Sequence, residues 1–177
     1  MGFNVNQDTM KPLLILIPAA LAVFAAGFLA GREALPTAPE KGAINALNHV
    51  GLRVSDFEAA ADFYEKKLGF KIAYRFDHPD GTPIFAYVQV SKDTFIELIP
   101  SDETHPAGFD HFGFETDRID SLAAYFGQAG IKASKTSVST FTGVHLSMAE
   151  DLDGIRFELI APVEGSMLRK AIDGWEE

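Results

Sequence analysis

Asn48-His49-Val50-Gly51-Leu52 returns sixty-two residues later as Asp110-His111-Phe112-Gly113-Phe114, and this recurrence decides the fold. Working outward, Phe63-Tyr64 reappears at the same offset as Tyr125-Phe126. Leu68-Gly69-Phe70-Lys71 and Ile96-Glu97-Leu98-Ile99 reappear one residue nearer, as Ala129-Gly130-Ile131-Lys132 and Phe157-Glu158-Leu159-Ile160. Four matches in one order, drifting by a single residue, mark an internal duplication.

Each copy reads as a strand, a helix and three more strands. In the first, residues 47–54 alternate as a half-buried strand does. Asp56 caps a helix whose Phe57, Ala60, Ala61, Tyr64 and Leu68 share one side, and Gly69 ends it. Strands follow at 70–76, 84–90 and 94–99, separated by His78-Pro79-Asp80-Gly81 and Ser91-Lys92-Asp93. The second copy predicts strands at 109–116, 131–138, 143–149 and 155–160, with a helix over 119–128. The expected architecture is α+β: two βαβββ repeats (45–101 and 109–162) forming a curved mixed sheet around a groove. A linker at 101–108 joins them, a tail follows at 163–177, and Trp175 with the acidic 173–177 shows no chemistry.

Ahead of this domain (39–177), residues 13–30 are almost wholly apolar. Lys11 precedes them, and the small residues Ala30, Gly31, Ala34 and Ala38 follow. That layout predicts an export signal or an uncleaved membrane anchor with its linker over 1–38, and so an exported or membrane-anchored protein. Neither a disulfide framework nor a lipidated cysteine is available, since the chain has no cysteine. The formal charge of −10 argues against nucleic acid as a partner.

Alternation also decides which side chains leave the helix-covered face. Val50, Leu52 and Val54 lie under the first helix, whereas His49, Gly51 and Arg53 point away. Ile96 and Leu98 lie under it, and Phe95, Glu97 and Ile99 point away. The second copy repeats the pattern with His111 and Glu158. Two histidines and two glutamates, equivalent by the duplication, therefore project into one groove. A carboxylate facing a partly apolar groove needs a partner, and a divalent ion satisfies two imidazoles and two carboxylates together. Arg53, Tyr87 and His145 are the expected substrate-binding residues. Tyr87 shares its face with Phe85, His145 shares its own with Ser147, and Arg53 can take an anionic group or pair with Glu97.

With these segments and Asp151-Leu152-Asp153-Gly154-Ile155-Arg156-Phe157-Glu158-Leu159, the chain resembles the vicinal oxygen chelate superfamily. That superfamily includes glyoxalase I, methylmalonyl-CoA epimerase, extradiol dioxygenases, and fosfomycin- and bleomycin-resistance proteins. The resemblance covers about residues 45–162. It implies His49, His111 and Glu158 as ligands of one divalent metal ion (Zn, Ni, Fe, Mn or Co). Glu97 holds the variable fourth position, a pattern similar to glyoxalase I, and Glu97 or Glu158 would double as catalytic base. Two departures stand out. Leu152 and Ile155 replace the proline and asparagine usual in that turn, and an export signal is unusual for glutathione or coenzyme A substrates.

The expected activity is a metal-dependent lyase or isomerase acting on a small oxygenated substrate by proton abstraction next to a carbonyl. An Fe(II) ring-cleaving dioxygenase using only His49, His111 and Glu158 is one alternative. A metal-free small-molecule-binding protein is the other. The two repeats either pair within a chain or exchange across a homodimer.

Overall fold

The duplication appears directly in the element order. The structure, a computed structural model, describes residues 37–41 and 43–176. The first copy supplies β1 (Ala46–Val54), α1 (Phe57–Asp62), a π-helical turn (Phe63–Lys67), β2 (Lys71–Asp77), β3 (Pro83–Ser91) and β4 (Thr94–Pro100). The second supplies β5 (Gly108–Glu115), α2 (Ile119–Gln128), β6 (Ser137–Val138), β7 (His145–Glu150) and β8 (Arg156–Ala161), followed by α3 (Met167–Asp173).

All eight strands join one mixed sheet in the order β2-β3-β4-β1-β5-β8-β7-β6. The second half of that order mirrors the first, so a local two-fold runs between β1 and β5, which pair antiparallel. Beside them, β1 pairs parallel with β4, and β5 parallel with β8. The copies therefore meet within one chain, and exchange between chains is not needed to unite them.

Each helix covers the outer face of its own half. Phe57 packs with Ala86, Val88 and Leu98 in the first half. In the second, Ile119, Leu122 and Phe126 pack with Ala149 and Leu159. A third cluster occupies the opposite face and joins Tyr74, Tyr87 and Phe95 to Val144 and Ile160. Those residues come from opposite halves of the sheet, so the sheet curls to bring them together. Burying apolar area on both faces, at roughly 25 cal/mol per Å², favours this curl over a flat sheet with one wet apolar face.

Four expectations need correction or completion. The helix of the first copy does not run regularly to residue 68. Its last turn is π-helical, which rotates the side chains and leaves Leu68 half exposed. The strand expected at 131–138 shrinks to Ser137–Val138 and an isolated bridge between Ala133 and Ala149. Ser134-Lys135-Thr136-Ser137 gives this edge no alternating apolar side to bury. The 163–177 tail is not featureless, since it contains α3, capped by Ser166 and buried through Leu168 and Ile172. In the altered turn Asp151 Oδ1 accepts from the amides of Asp153 and Ile155, and Leu152 points into solvent.

Among the described residues no helix is long and apolar enough to cross a membrane. The signal or anchor expected over 1–38, with its apolar run at 13–30, lies almost entirely outside the described residues.

Candidate metal centre

The antiparallel pairing of β1 with β5 sets the site. His49 lies opposite Gly113, and Gly51 lies opposite His111. Each imidazole folds over the other strand's glycine. A Cβ built on Gly113 would fall 1.9 Å from His49 Cε1, and one on Gly51 would fall 2.4 Å from His111 Cε1. Any other residue would occupy the space of the ring, which is why His-x-Gly occurs in both copies.

The rings meet at Nε2, with 3.1 Å between the two nitrogens. Glu158 Oε2 lies 3.6 Å from His49 Nε2 and 3.9 Å from His111 Nε2. Glu97 Oε2 lies 3.2 Å from His111 Nε2 and 3.9 Å from His49 Nε2. The donor atoms of His49, His111 and Glu158 all lie within 4.8 Å of one another. Glu97 reaches the same two nitrogens from β4, the parallel neighbour of β1.

The residue before each histidine aims its ring. Asn48 Nδ2 donates to Glu115 Oε2 at 3.1 Å, which turns the amide oxygen towards His49. His49 Nδ1–H then donates to Asn48 Oδ1 at 3.2 Å. In the second copy His111 Nδ1–H donates to Asp110 Oδ2 at 2.8 Å. Asp110 is itself held by Arg53 Nε at 2.7 Å and by Arg156. With each Nδ1 committed as a donor, both Nε2 lone pairs point into the cluster. Two such lone pairs 3.1 Å apart, flanked by carboxylates, repel unless a cation, either a proton or a metal ion, lies among them. The residues present therefore fit a divalent ion and could hold one.

The charge states follow the same geometry. Burial and the neighbouring His111 push His49 down to about 3, so it is neutral. Burial opposes charge on His111 too, but the Glu97 hydrogen bond, the charges of Glu158 and Glu97, and the Asp110 hydrogen bond outweigh it and hold this ring up at about 9. Burial, and then Glu97, push Glu158 up to about 7 against the pull of His111 and Arg156. Asp110 stays below the usual carboxylate range. Burial works against that, but its bonds with Arg53 and His111 and the charge of Arg156 prevail. Tyr87, raised by burial and then by Glu97, remains a phenol. Its hydroxyl lies 3.4 Å from His49 Nε2, and its ring stacks on Tyr74 at 4.9 Å.

Tyr87, Glu97 and Glu158 line one cavity. His145 does not join them. Across the β7–β8 ladder it pairs with Ala161, whereas Leu146 pairs with Ile160 and Met148 with Glu158. Val144, Leu146 and Met148 therefore face the groove, and His145 and Ser147 face the helix side. The run 143–149 alternates polar and apolar residues in the phase opposite to the one expected, because both faces of this strand are covered. Arg53 pairs with Asp110 rather than Glu97, and through Asp110 it backs His111. Asn48 and Asp110 were not singled out from the sequence, although their equivalence in the repeat and their place next to each histidine were the available signal.

A paired-βαβββ fold with a His-His-Glu cluster at its local two-fold defines the class. Residues 46–159 match the Glyoxalase/Bleomycin resistance protein/Dioxygenase superfamily, and the chain belongs to it. It is similar to a lactoylglutathione lyase of Neisseria meningitidis serogroup A, with 27% identity over 127 residues, covering 67% of this chain and 92% of that protein. Its fold is similar to methylmalonyl-CoA epimerase of Mycobacterium tuberculosis (TM-score 0.60, 18% identity, 71% of this chain and 93% of that one). It is also similar to the 2,3-dioxygenase LapB of Pseudomonas sp. KL28 (TM-score 0.60, 18% identity), where 67% of this chain covers 42% of the dioxygenase.

Proposed function

We propose that the chain is a metal-dependent lyase or isomerase of the glyoxalase type, acting on a small oxygenated substrate by moving a proton next to a carbonyl. The observation that carries this reading is the meeting of four repeat-equivalent donors, His49, Glu97, His111 and Glu158, with both imidazoles oriented Nε2-inward. These four residues would hold the ion, which supplies Lewis-acid polarisation of a carbonyl oxygen when bound.

The chain's own groups account for the proton movement. Glu158 lines the cavity with Tyr87, where its carboxylate can accept a proton and return it. Glu97 is its counterpart in the first copy and the second candidate base. The Tyr87 phenol keeps its proton and can donate to a substrate oxygen beside His49. Arg53 and Arg156 hold Asp110, and Asp110 holds His111. Export, read from Lys11 and residues 13–30, would put this chemistry outside the cytosol, and fractionation of cells expressing the full chain tests it.

Metal analysis of the purified chain, with Glu97→Gln and His111→Ala, tests the site. One bound divalent ion per chain, lost in His111→Ala and greatly weakened in Glu97→Gln, is expected. Exchange of a substrate C–H in deuterated water, followed by NMR and abolished in Glu158→Gln, tests the chemistry. A second reading, a dioxygenase with three protein ligands, draws on His49, His111 and Glu158, whose donor atoms lie within 4.8 Å of one another. Retention of iron by Glu97→Gln, with oxygen uptake on a catechol, would favour it.

A further inference from the structure

The groove that opens onto Glu97 and Glu158 is stopped at both ends by this chain's own side chains. Along β3 the groove-facing residues are Phe85, Tyr87 and Gln89. At the Gln89 end, α3 lies in the groove: Gln89 Nε2 donates to Ala171 O at 3.1 Å, and Leu168 and Ile172 pack among Tyr74, Tyr87 and Ile160. At the Phe85 end, the loop before β7 places Phe141 with its ring 5.5 Å from Phe76 and 5.7 Å from Phe85. Helix and loop are joined, since Met167 N donates to Thr142 O at 2.8 Å. What remains between them is a cavity of about 100 Å³, bounded by Tyr87, Glu97, Glu158, Leu146, Thr142 and Leu168.

That volume decides what can enter. Pockets for drug-sized ligands run to roughly 300–1,000 Å³, several times this volume. The space suits a molecule of a few heavy atoms. It does not enclose one that carries a peptide or nucleotide handle. We infer that α3 sets the size of substrate this site accepts, restricting it to short, free carbonyl compounds, with Leu168 as the side chain that sets the limit. The inference rests on the proposed metal-dependent reading of the same cluster and adds the size of what it accepts.

A test separates the two claims. The full-length chain is loaded with Co(II), its cobalt content measured, and its visible spectrum titrated with acetohydroxamate and the straight-chain homologue octanohydroxamate. The short chelator is expected to bind at least about 30-fold more tightly than the long one, a difference within the range that pocket shape supplies. Leu168→Ala should shrink that ratio by about tenfold. Leu168→Val should shrink it less, which keeps the test open if the alanine variant does not fold. Equal affinity for both chelators in a cobalt-loaded wild type overturns the size limit and leaves the metal reading standing. An unchanged ratio in variants that hold cobalt overturns the role of Leu168, and a spectrum that neither chelator perturbs overturns the claim that the cavity opens onto the ion. Failure to take up cobalt overturns the metal reading itself, and this inference with it.

Discussion

The two halves of the site share a backbone and a motif but differ in charge. In the first, His49 is fully buried, is held by the neutral amide of Asn48 and is itself neutral. In the second, His111 is held by the carboxylate of Asp110, which Arg53 and Arg156 brace from behind, and it carries a proton up to about 9. Burial and then His111 keep His49 neutral, whereas the Glu97 hydrogen bond and the charges of Glu158 and Glu97 raise His111, with the bond to Asp110 adding a smaller share. The duplication supplies a symmetric frame, and unequal burial and carboxylate contacts within it give each ring its own electrostatics. A neutral ring beside a cationic one also avoids placing two charged imidazoles 3.1 Å apart.

The largest effect expected from disturbing this pair comes from the glycines. Gly113→Ala should abolish metal binding, because the added methyl overlaps His49, a ring with no exposed surface and nowhere to move. Gly51→Ala should do the same less completely, since its clash with His111 is milder. Metal content per folded chain, with circular dichroism as the folding control, distinguishes them.

Metal affinity should also depend strongly on pH. Binding must displace the proton that His111 holds to about 9, and below about 7 the one on Glu158 as well. Apparent affinity should therefore rise roughly tenfold per pH unit between those values, more steeply below them, and level off above. Competition titrations against a chelator at several pH values measure the slope, and a flat profile would contradict the assigned charge states.

Asp110→Asn makes the second half resemble the first. It should lower the His111 titration midpoint seen by NMR and weaken metal binding by roughly 10- to 100-fold, as loss of a histidine's supporting carboxylate generally does. The reverse change does not mirror it. Asn48→Asp would set a buried carboxylate against Glu115, which now accepts from the Asn48 amide. That variant should lose stability in denaturant titrations rather than gain a second cationic ring.

The smallest effect concerns the helices. Asp56 accepts from the Ala59 amide at the start of α1, whereas Arg118 gives α2 no side-chain cap. Asp56→Ala should cost about 1 kcal/mol in chemical denaturation, and Arg118→Ala much less.

The recurrence of His-x-Gly and of the glutamate strand was enough to place the repeats, their order and the four inward-facing donors. Strand alternation and duplication are local, additive signals, so they survive in one dimension. The same local reading failed where both faces of a strand are covered. At β7, period-two alternation no longer distinguishes groove from helix, and read alone it puts His145 on the wrong side. It failed again for Arg53, whose partner Asp110 comes from the other copy.

A duplicated βαβββ unit with two histidines and two glutamates on one face is legible in one dimension. That the copies pair through β1 and β5, that each glycine clears space for the other copy's imidazole, and that α3 closes one end of the groove emerge only in the folded chain. Register, close approach and occupancy of a concave face depend on pairs of residues far apart in the chain. No periodicity within one segment records which distant side chain it will meet.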